Sequence, residues 1–339
     1  MRQAVMTAPG VIEFRDVPEP KPAKGQVLMR IQRIGVCGSD MHVNRGKHPF
    51  VTYPLVQGHE FSAVVEAVGE GVTGIAPGDK VTATPQEVCG TCRPCRRGEY
   101  NVCENLKVRG FQAPGVAQDL YVTEADKIVP LPDDFTPEQG AFVEPVSVAA
   151  HSTGRAVDVT GKNVVVMGAG PIGNFAAQAC RCRGAEKVLI TDLSDYRLDI
   201  ARRVGIDAVS NARRESLADA ARRVFGEEGF DLAMEAAGSE AAIAQAIEAI
   251  GKGGRIVILG VFEENPPIDM AVVCEHELSL VGTMMYRHED YDQAVKWIAE
   301  GTIITEPLDS RHFAFSDYAA AYEYIDKQGD KCMKVFIDM

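Results

Sequence analysis

Val164-Val165-Val166-Met167-Gly168-Ala169-Gly170-Pro171-Ile172-Gly173 is the stretch on which the fold turns. Its first four residues form a short, largely β-branched apolar run, as suits a strand buried on both faces of a parallel sheet. The glycines follow in the pattern G-x-G-x-x-G, and Pro171 to Arg183 then reads as helix. Strand, glycine turn and helix in that order let backbone come close to a pyrophosphate, with N–H donors and a positive dipole at the helix N-terminus. Glycine turns between strand and helix are common, so the pattern needs a second signal. Asp192 supplies it by ending the next apolar run, Val188–Thr191, 19 residues beyond Gly173. A carboxylate there accepts both ribose hydroxyls and repels a 2′-phosphate, which favours NAD over NADP. The competing reading makes Asp192 a cap for the following helix. Gly168, Gly170, Pro171, Ile172, Gly173 and Asp192 are thus the cofactor candidates. Arg197 joins them by position but lies too far along that helix to argue for NADP.

Outward from this stretch the same rhythm continues. Helices are expected at Tyr196–Val204 and Ala241–Ile250, and strands at Leu232–Glu235 and Arg255–Gly260. Alternation of that kind predicts a doubly wound parallel sheet over residues 151–286, an NAD-binding domain of Rossmann type. Residues 1–150 read differently. Branched runs such as Gln26–Ile31 and Phe61–Val68 are broken by Gly71, Gly74 and Pro77-Gly78-Asp79, which indicates a β-rich domain. After residue 287 the chain reads as helix (Tyr291–Glu300), loop, helix and a last strand, Cys332–Ile337. This tail is expected to return to the first domain, making the catalytic domain discontinuous: 1–150 and 287–339.

The chain has 339 residues and a formal charge of −13, which leaves little scope for a basic face and argues against a nucleic-acid partner. An anionic substrate would then depend on local arginines. No stretch approaches the ~20 apolar residues of a membrane span, and the N-terminus lacks the apolar run of a signal peptide. A cytoplasmic location is the expectation. Of nine cysteines, four fall within fifteen residues, which in a reducing compartment suggests metal rather than disulfides.

Those four are Cys89, Cys92, Cys95 and Cys103, in a polar loop with Gly90, Pro94 and Gly98. Four thiolates so spaced can close a tetrahedron around Zn²⁺, and a closed Cys₄ site is structural. A second set is scattered: Cys37, His59 with Glu60, and Glu144 before Pro145. A thiolate, an imidazole and one or two carboxylates suit a catalytic zinc with one exchangeable position. Spacing alone does not join these residues, since a lone Cys or His is more often core packing and a lone Glu is usually surface.

The residues Gly58-His59-Glu60, Cys37-Gly38-Ser39-Asp40-x-His42, the four-cysteine loop, Glu144-Pro145 and the glycine turn occur together in the order seen in the zinc-containing medium-chain alcohol dehydrogenases. The chain resembles that family over essentially its whole length. Within it, the chain is similar to the sorbitol/polyol, threonine and sugar-acid dehydrogenase branch, because Glu144 stands where the primary-alcohol enzymes place a cysteine. The resemblance implies a GroES-like catalytic domain beside the Rossmann domain, and two zinc ions per subunit. It implies Cys37 and His59 as zinc ligands, Glu60 and Glu144 as carboxylates that bind the metal directly, through water or by exchange during turnover, and Asp40 holding the other nitrogen of His59. It also implies a proton relay from Ser39 through the cofactor ribose to His42 and water, and a homodimer or homotetramer joined through the Rossmann sheet edge at Arg255–Gly260 or Leu278–Val281.

The activity so implied is transfer of hydride from a secondary hydroxyl of a polyol or sugar acid to NAD. Oxidation of an amino-acid alcohol such as threonine is the second reading, and a non-catalytic nucleotide-binding protein the third. Candidate pocket residues near the zinc loops are His48, Phe50, Tyr53, Arg109 and Arg287. An arginine facing the substrate would fork onto a carboxylate and favour an aldonate. The alternative is that these side chains serve the surface.

Overall fold

The computed structural model describes residues 1–206 and 208–339, and the chain divides into two units. The first comprises Met1–Glu144, Arg287–Val295 and Asp309–Met339; the second comprises Pro145–Tyr286 and Lys296–Leu308. Residues 296–308, read from sequence as part of the first domain, cluster with the second unit.

In the first unit, strands β1 (Arg2–Ala8) and β2 (Val11–Asp16) form an antiparallel pair. A seven-stranded sheet is built from β3 (Gln26–Val36), β4 (Glu60–Val68), β5 (Lys80–Ala83), β6 (Leu120–Glu124) and β7 (Ile128–Pro130) together with two strands from the chain's end. The long strand β3 is its hub and pairs with β4, with β6 and with the last strand of the chain. Most of it is buried, with Val27, Met29, Ile31 and Ile34 almost fully so and Arg30 alone exposed along the strand.

The second unit carries six parallel strands: β8 (Asn163–Met167), β9 (Lys187–Asp192), β10 (Ala208–Asn211), β11 (Leu232–Glu235), β12 (Arg255–Ile258) and β13 (Ser279–Gly282). Their order across the sheet is β10-β9-β8-β11-β12-β13, so the chain reverses direction across the sheet at β8. Val164, Val165 and Val166 are 0% exposed, as a strand covered on both faces requires. This is the doubly wound Rossmann arrangement, whose ligands lie beyond the carboxyl ends of the strands at the reversal point. Strand β12 is paired on both sides, so Arg255–Gly260 is not a sheet edge; β13 is.

Strands β14 (Asp309–Ala314) and β15 (Lys334–Asp338) complete the seven-stranded sheet of the first unit, in the order β14-β15-β3-β4-β5-β7. The return of the chain's end to this sheet matters because the registers of β15 and β4 on β3 bring three strand ends together. Val335 pairs with Val36 on one side of β3, and Glu60 pairs with Gly35 on the other.

Candidate functional site

The glycine turn lies at the carboxyl end of β8. Gly168 has φ +95°, which a side chain would strain, and a Cβ on Gly173 would sit 1.8 Å from the Gly168 carbonyl oxygen. Gly170 differs, since a Cβ there would meet no atom of the described residues within 4 Å. Its freedom is open space at the N-terminus of helix Pro171–Cys182, where a pyrophosphate can approach. Asn174, absent from the sequence reading, braces the turn by donating from Nδ2 to the Ala169 carbonyl at 2.5 Å. Asp192 ties the next strand to the turn. One of its carboxylate oxygens accepts the Ala169 N–H at 2.7 Å and the other accepts the Ser194 N–H at 2.8 Å. Ser194, not Asp192, caps helix Asp195–Arg203, so capping does not explain the carboxylate. Arg197 approaches Asp192 to 3.9 Å. A cavity of about 440 Å³ opens here, lined by Gly170, Asp192, Leu193, Arg197, Ala237 and Ser239 among others. Its size, the uncovered Gly170 and the carboxylate on the strand end fit a dinucleotide.

In the first unit the scattered set converges. Cys37 follows β3 directly and is the N-cap of helix Gly38–Asn44, while His59 precedes and Glu60 opens the adjacent antiparallel strand, so the register places the two loops side by side. Ligand atoms of Cys37, His59 and Glu60 all lie within 4.8 Å of one another. His59 and Glu60 are buried at 5% and 1% exposure. Asp40 Oδ2 accepts the Cys37 N–H at 2.9 Å, and its Oδ1 lies 3.7 Å from His59 Nδ1. That separation is longer than a hydrogen bond, and among the described residues His59 Nδ1 has no hydrogen-bond partner. Burial, then the Glu60 charge, pushes the Cys37 thiol up. For His59, burial acts downward, but Asp40 and Cys37 outweigh it and raise the imidazole well above its ordinary value. A buried thiol and imidazole that hold protons so firmly, beside the buried carboxylate of Glu60, fit a site in which a cation is the natural counter-charge.

Glu144 is buried at 5% in helix Pro137–Arg155 and lies outside that group of three. Its charge nevertheless reaches His59 and Lys334. Lys334 was not foreseen. It is 3% exposed, opens β15, and binds both Glu60 oxygens, at 2.5 and 2.8 Å. Ser39 and His42 are both half-buried on the short helix after Cys37, three residues apart and so on one face. Ser39 is inside the helix, and its N-cap is Cys37.

The four loop cysteines also come together, with ligand atoms within 4.8 Å of one another. Cys92 and Cys103 sulfurs are 3.8 Å apart and Cys103 and Cys89 3.6 Å. Sulfurs about 2.3 Å from one tetrahedral zinc would be separated by about 3.8 Å. Backbone N–H groups of Cys92 and Asn105 point at Cys89 and Cys103 sulfur at 3.3 Å. Backbone donors from Thr91 and Cys92 draw the Cys89 thiol down to about 5, while desolvation and the neighbouring sulfurs push Cys95 up to about 12. A cation would remove that conflict among four crowded sulfurs.

The pocket candidates fare unevenly. Phe111 packs on the His59 ring at 4.9 Å, and His48 stacks on Phe111 at 5.1 Å, with Phe50 exposed beyond it. Tyr53 donates to the Val43 carbonyl at 2.5 Å. Arg109 is not a free fork: it is held by Glu87 at 3.1 Å and Glu124 at 2.7 Å. Arg287 is likewise occupied, donating to Asn101 at 3.2 Å and pairing with Glu289 at 3.5 Å.

Known proteins share this arrangement. The family described as "Alcohol dehydrogenase GroES-like domain" matches residues 23–133, and "Zinc-binding dehydrogenase" matches 171–300. L-threonine 3-dehydrogenase of Rhizobium etli is 34% identical over 91% of this chain and 90% of its own. The 2-dehydro-3-deoxy-L-galactonate 5-dehydrogenase of Pseudoalteromonas atlantica is 35% identical over 92% of each. Among solved structures, galactitol-1-phosphate dehydrogenase of Escherichia coli superposes with a TM-score of 0.91 at 29% identity, covering 100% of both chains. With both regions matched and relatives 34% and 35% identical over nine-tenths of its length, this chain belongs to the zinc-dependent medium-chain alcohol dehydrogenase family and is an oxidoreductase.

Proposed function

We propose that this enzyme oxidises a secondary hydroxyl of a small polyol or sugar acid, with NAD as the hydride acceptor. The observation that carries this reading is the convergence of Cys37, His59 and Glu60 within 4.8 Å, with a buried Glu144 as the fourth candidate. When bound, zinc supplies the Lewis acidity that lowers the pKa of a substrate hydroxyl, and the nicotinamide takes up the hydride. Cys37 and His59 are the firm holders of the metal, with Glu60 or Glu144 completing the set. The loop thiols of Cys89, Cys92, Cys95 and Cys103 would hold a second, structural zinc. Ser39 receives the hydroxyl proton and His42, one turn further along the same helix, delivers it toward water. Phe111 and His48 wall the metal site with aromatic surface. Gly168 to Gly173 cradle the pyrophosphate, and Asp192 takes the ribose hydroxyls and disfavours a 2′-phosphate.

Engagement of Arg109 and Arg287 by the protein's own groups leaves them poorly placed to fork onto a substrate carboxylate, which favours the neutral polyol within this class. Threonine is the second reading, favoured by the 34% identity to a threonine 3-dehydrogenase. The edge strand Ser279–Gly282 is the surface through which two copies would pair. The test is NADH appearance with zinc-loaded protein over polyols, aldonates and threonine. Turnover confined to polyols or aldonates supports the proposal. Turnover of threonine alone replaces it with the second reading, and silence with zinc and NAD both bound rejects each.

A further inference from the structure

Behind His59 a line of buried polar groups runs to the chain's last helix. Gln57, two residues before His59, is 2% exposed, and Asp40 is 1% exposed. Gln57 Nε2 donates to Asp40 Oδ1 at 3.4 Å and to the Asp40 carbonyl at 3.5 Å. Asp40 Oδ1 in turn faces His59 Nδ1 at 3.7 Å, and its other oxygen is occupied by the Cys37 N–H at 2.9 Å. At the far end, the hydroxyl of Tyr322 donates to Gln57 Oε1 at 2.8 Å, across 265 residues of sequence. Tyr322 is 2% exposed on helix Tyr318–Gln328, its ring 5.8 Å from that of Tyr318.

A primary amide has one accepting end and one donating end, and no solvent reaches Gln57 to satisfy either. Only with the carbonyl toward a donor does its amino group face Asp40. Tyr322 is that donor. If its hydroxyl is removed, Gln57 is left with a buried, unpaired carbonyl, and rotation to relieve this turns carbonyl oxygen toward a carboxylate. We propose that Tyr322 and Gln57 are positioning residues for the metal ligand His59, acting through Asp40, an inference that rests on the zinc reading of the Cys37–His59 site. They hold the Asp40 carboxylate facing the Nδ1 edge of His59, at 3.7 Å, which leaves the other ring nitrogen for the metal. Partners behind a ligand histidine typically alter metal affinity by about 10- to 100-fold.

The experiment follows zinc release from the full chain into a chromophoric chelator. The phase belonging to this site is identified as the one that Cys37→Ser abolishes. Tyr322→Phe keeps the ring and its packing, and is expected to speed that phase about tenfold while leaving the slower loop-cysteine phase unchanged. Gln57→Leu is expected to match or exceed it. The double variant should release no faster than Gln57→Leu alone, because Tyr322 acts only through Gln57. A separate structural effect would instead multiply the two. An unchanged phase in Tyr322→Phe, or multiplicative effects in the double variant, overturns the inference. If the native chain shows no Cys37-dependent phase, the zinc reading itself fails and the inference falls with it.

Discussion

Lys334 Nζ sits 2.5 Å from Glu60 Oε2 and 2.8 Å from Oε1, and donates to the Val36 carbonyl at 3.3 Å. The sheet is shaped for the pair, since a Cβ on Gly35 would come within 2.5 Å of Glu60 Oε2. Both side chains are almost fully buried, at 4% and 2% exposure, so each charge depends on the other. Taking away one partner strands the other, which typically costs about 3–5 kcal/mol; taking away both costs far less. Lys334→Met should therefore destabilise the zinc-loaded enzyme in urea by about that much, and Lys334→Met with Glu60→Gln should recover most of it. Equal losses in the single and double variants would show that the pair does not act as a unit.

Asp192 can be tested apart from catalysis. Its carboxylate accepts two backbone N–H groups, from Ala169 and Ser194, besides facing the proposed ribose position. Hydrogen bonds to a charged group contribute about 1.5–3 kcal/mol each. Asp192→Ala should weaken NADH binding by about 10- to 100-fold and narrow the preference over NADPH. Titration of nicotinamide fluorescence reads both numbers. An NADH affinity unchanged by the substitution would remove Asp192 from the cofactor site.

The four-cysteine loop makes a prediction about metal content. Cys95→Ser leaves three thiols, too few to close the tetrahedron. Zinc should fall from two to one per chain by atomic emission, and Tm should drop by roughly 5 °C or more. Reduction of NAD should persist at low temperature, because Cys37 and His59 are untouched. Two zinc ions retained in the variant would show that the loop does not hold one.

Much of this was legible in the sequence, for uneven reasons. Strands β8, β9, β11 and β12 lie within one or two residues of their expected bounds because buried parallel strands are nearly continuous apolar runs. Helix Pro137–Arg155 was not read as helix, since Pro145, Gly140 and Gly154 all speak against one. Packing overrides them: a Cβ on Gly140 would lie 2.7 Å from Ser62 Cβ, so the glycine is there for close approach. Strand β10 and helix Leu217–Phe225 were passed over, the strand Ala208-Val209-Ser210-Asn211 being half polar rather than a continuous apolar run. At the site, motif positions such as Cys37, His59 and Asp40 were readable, and the buried supports Lys334, Gln57 and Tyr322 were not. Lys334 did leave a trace as a lone charge inside the apolar run 332–337. Gln57 and Tyr322 left none, because they stand 265 positions apart and pair only once the chain has folded.

Ser39 separates proton transfer from metal binding. It stands two residues beyond Cys37 but, in this reading, moves a proton and does not touch zinc. Ser39→Ala should lower kcat by about 10²- to 10⁴-fold with zinc content and NADH affinity unchanged. Turnover within twofold of the native enzyme, with both controls intact, would end the relay.

His312 offers a test of sign. Its ring lies between two carboxylates, Nε2 at 2.8 Å from Asp309 and Nδ1 at 2.8 Å from Asp338, and both nitrogens can donate only when the imidazole is protonated. Asp338 is shared with Arg33, which also pairs with Glu138 at 2.5 Å. Desolvation lowers the His312 pKa, but hydrogen bonds donated to Asp309 and Asp338 outweigh it and the net shift is upward from 6.5. A folded pKa above the unfolded one means stability that is fully present below about pH 6.5 and lost as pH rises through the raised value. The network is partly exposed, so solvent screening keeps the effect small. His312→Gln, which cannot donate in both directions, should have a Tm about 1–3 °C below the native enzyme at pH 6, and the gap should close by pH 9. A gap of the same size at both pH values would mean that the ring contributes packing rather than charge to the junction of β14 and β15.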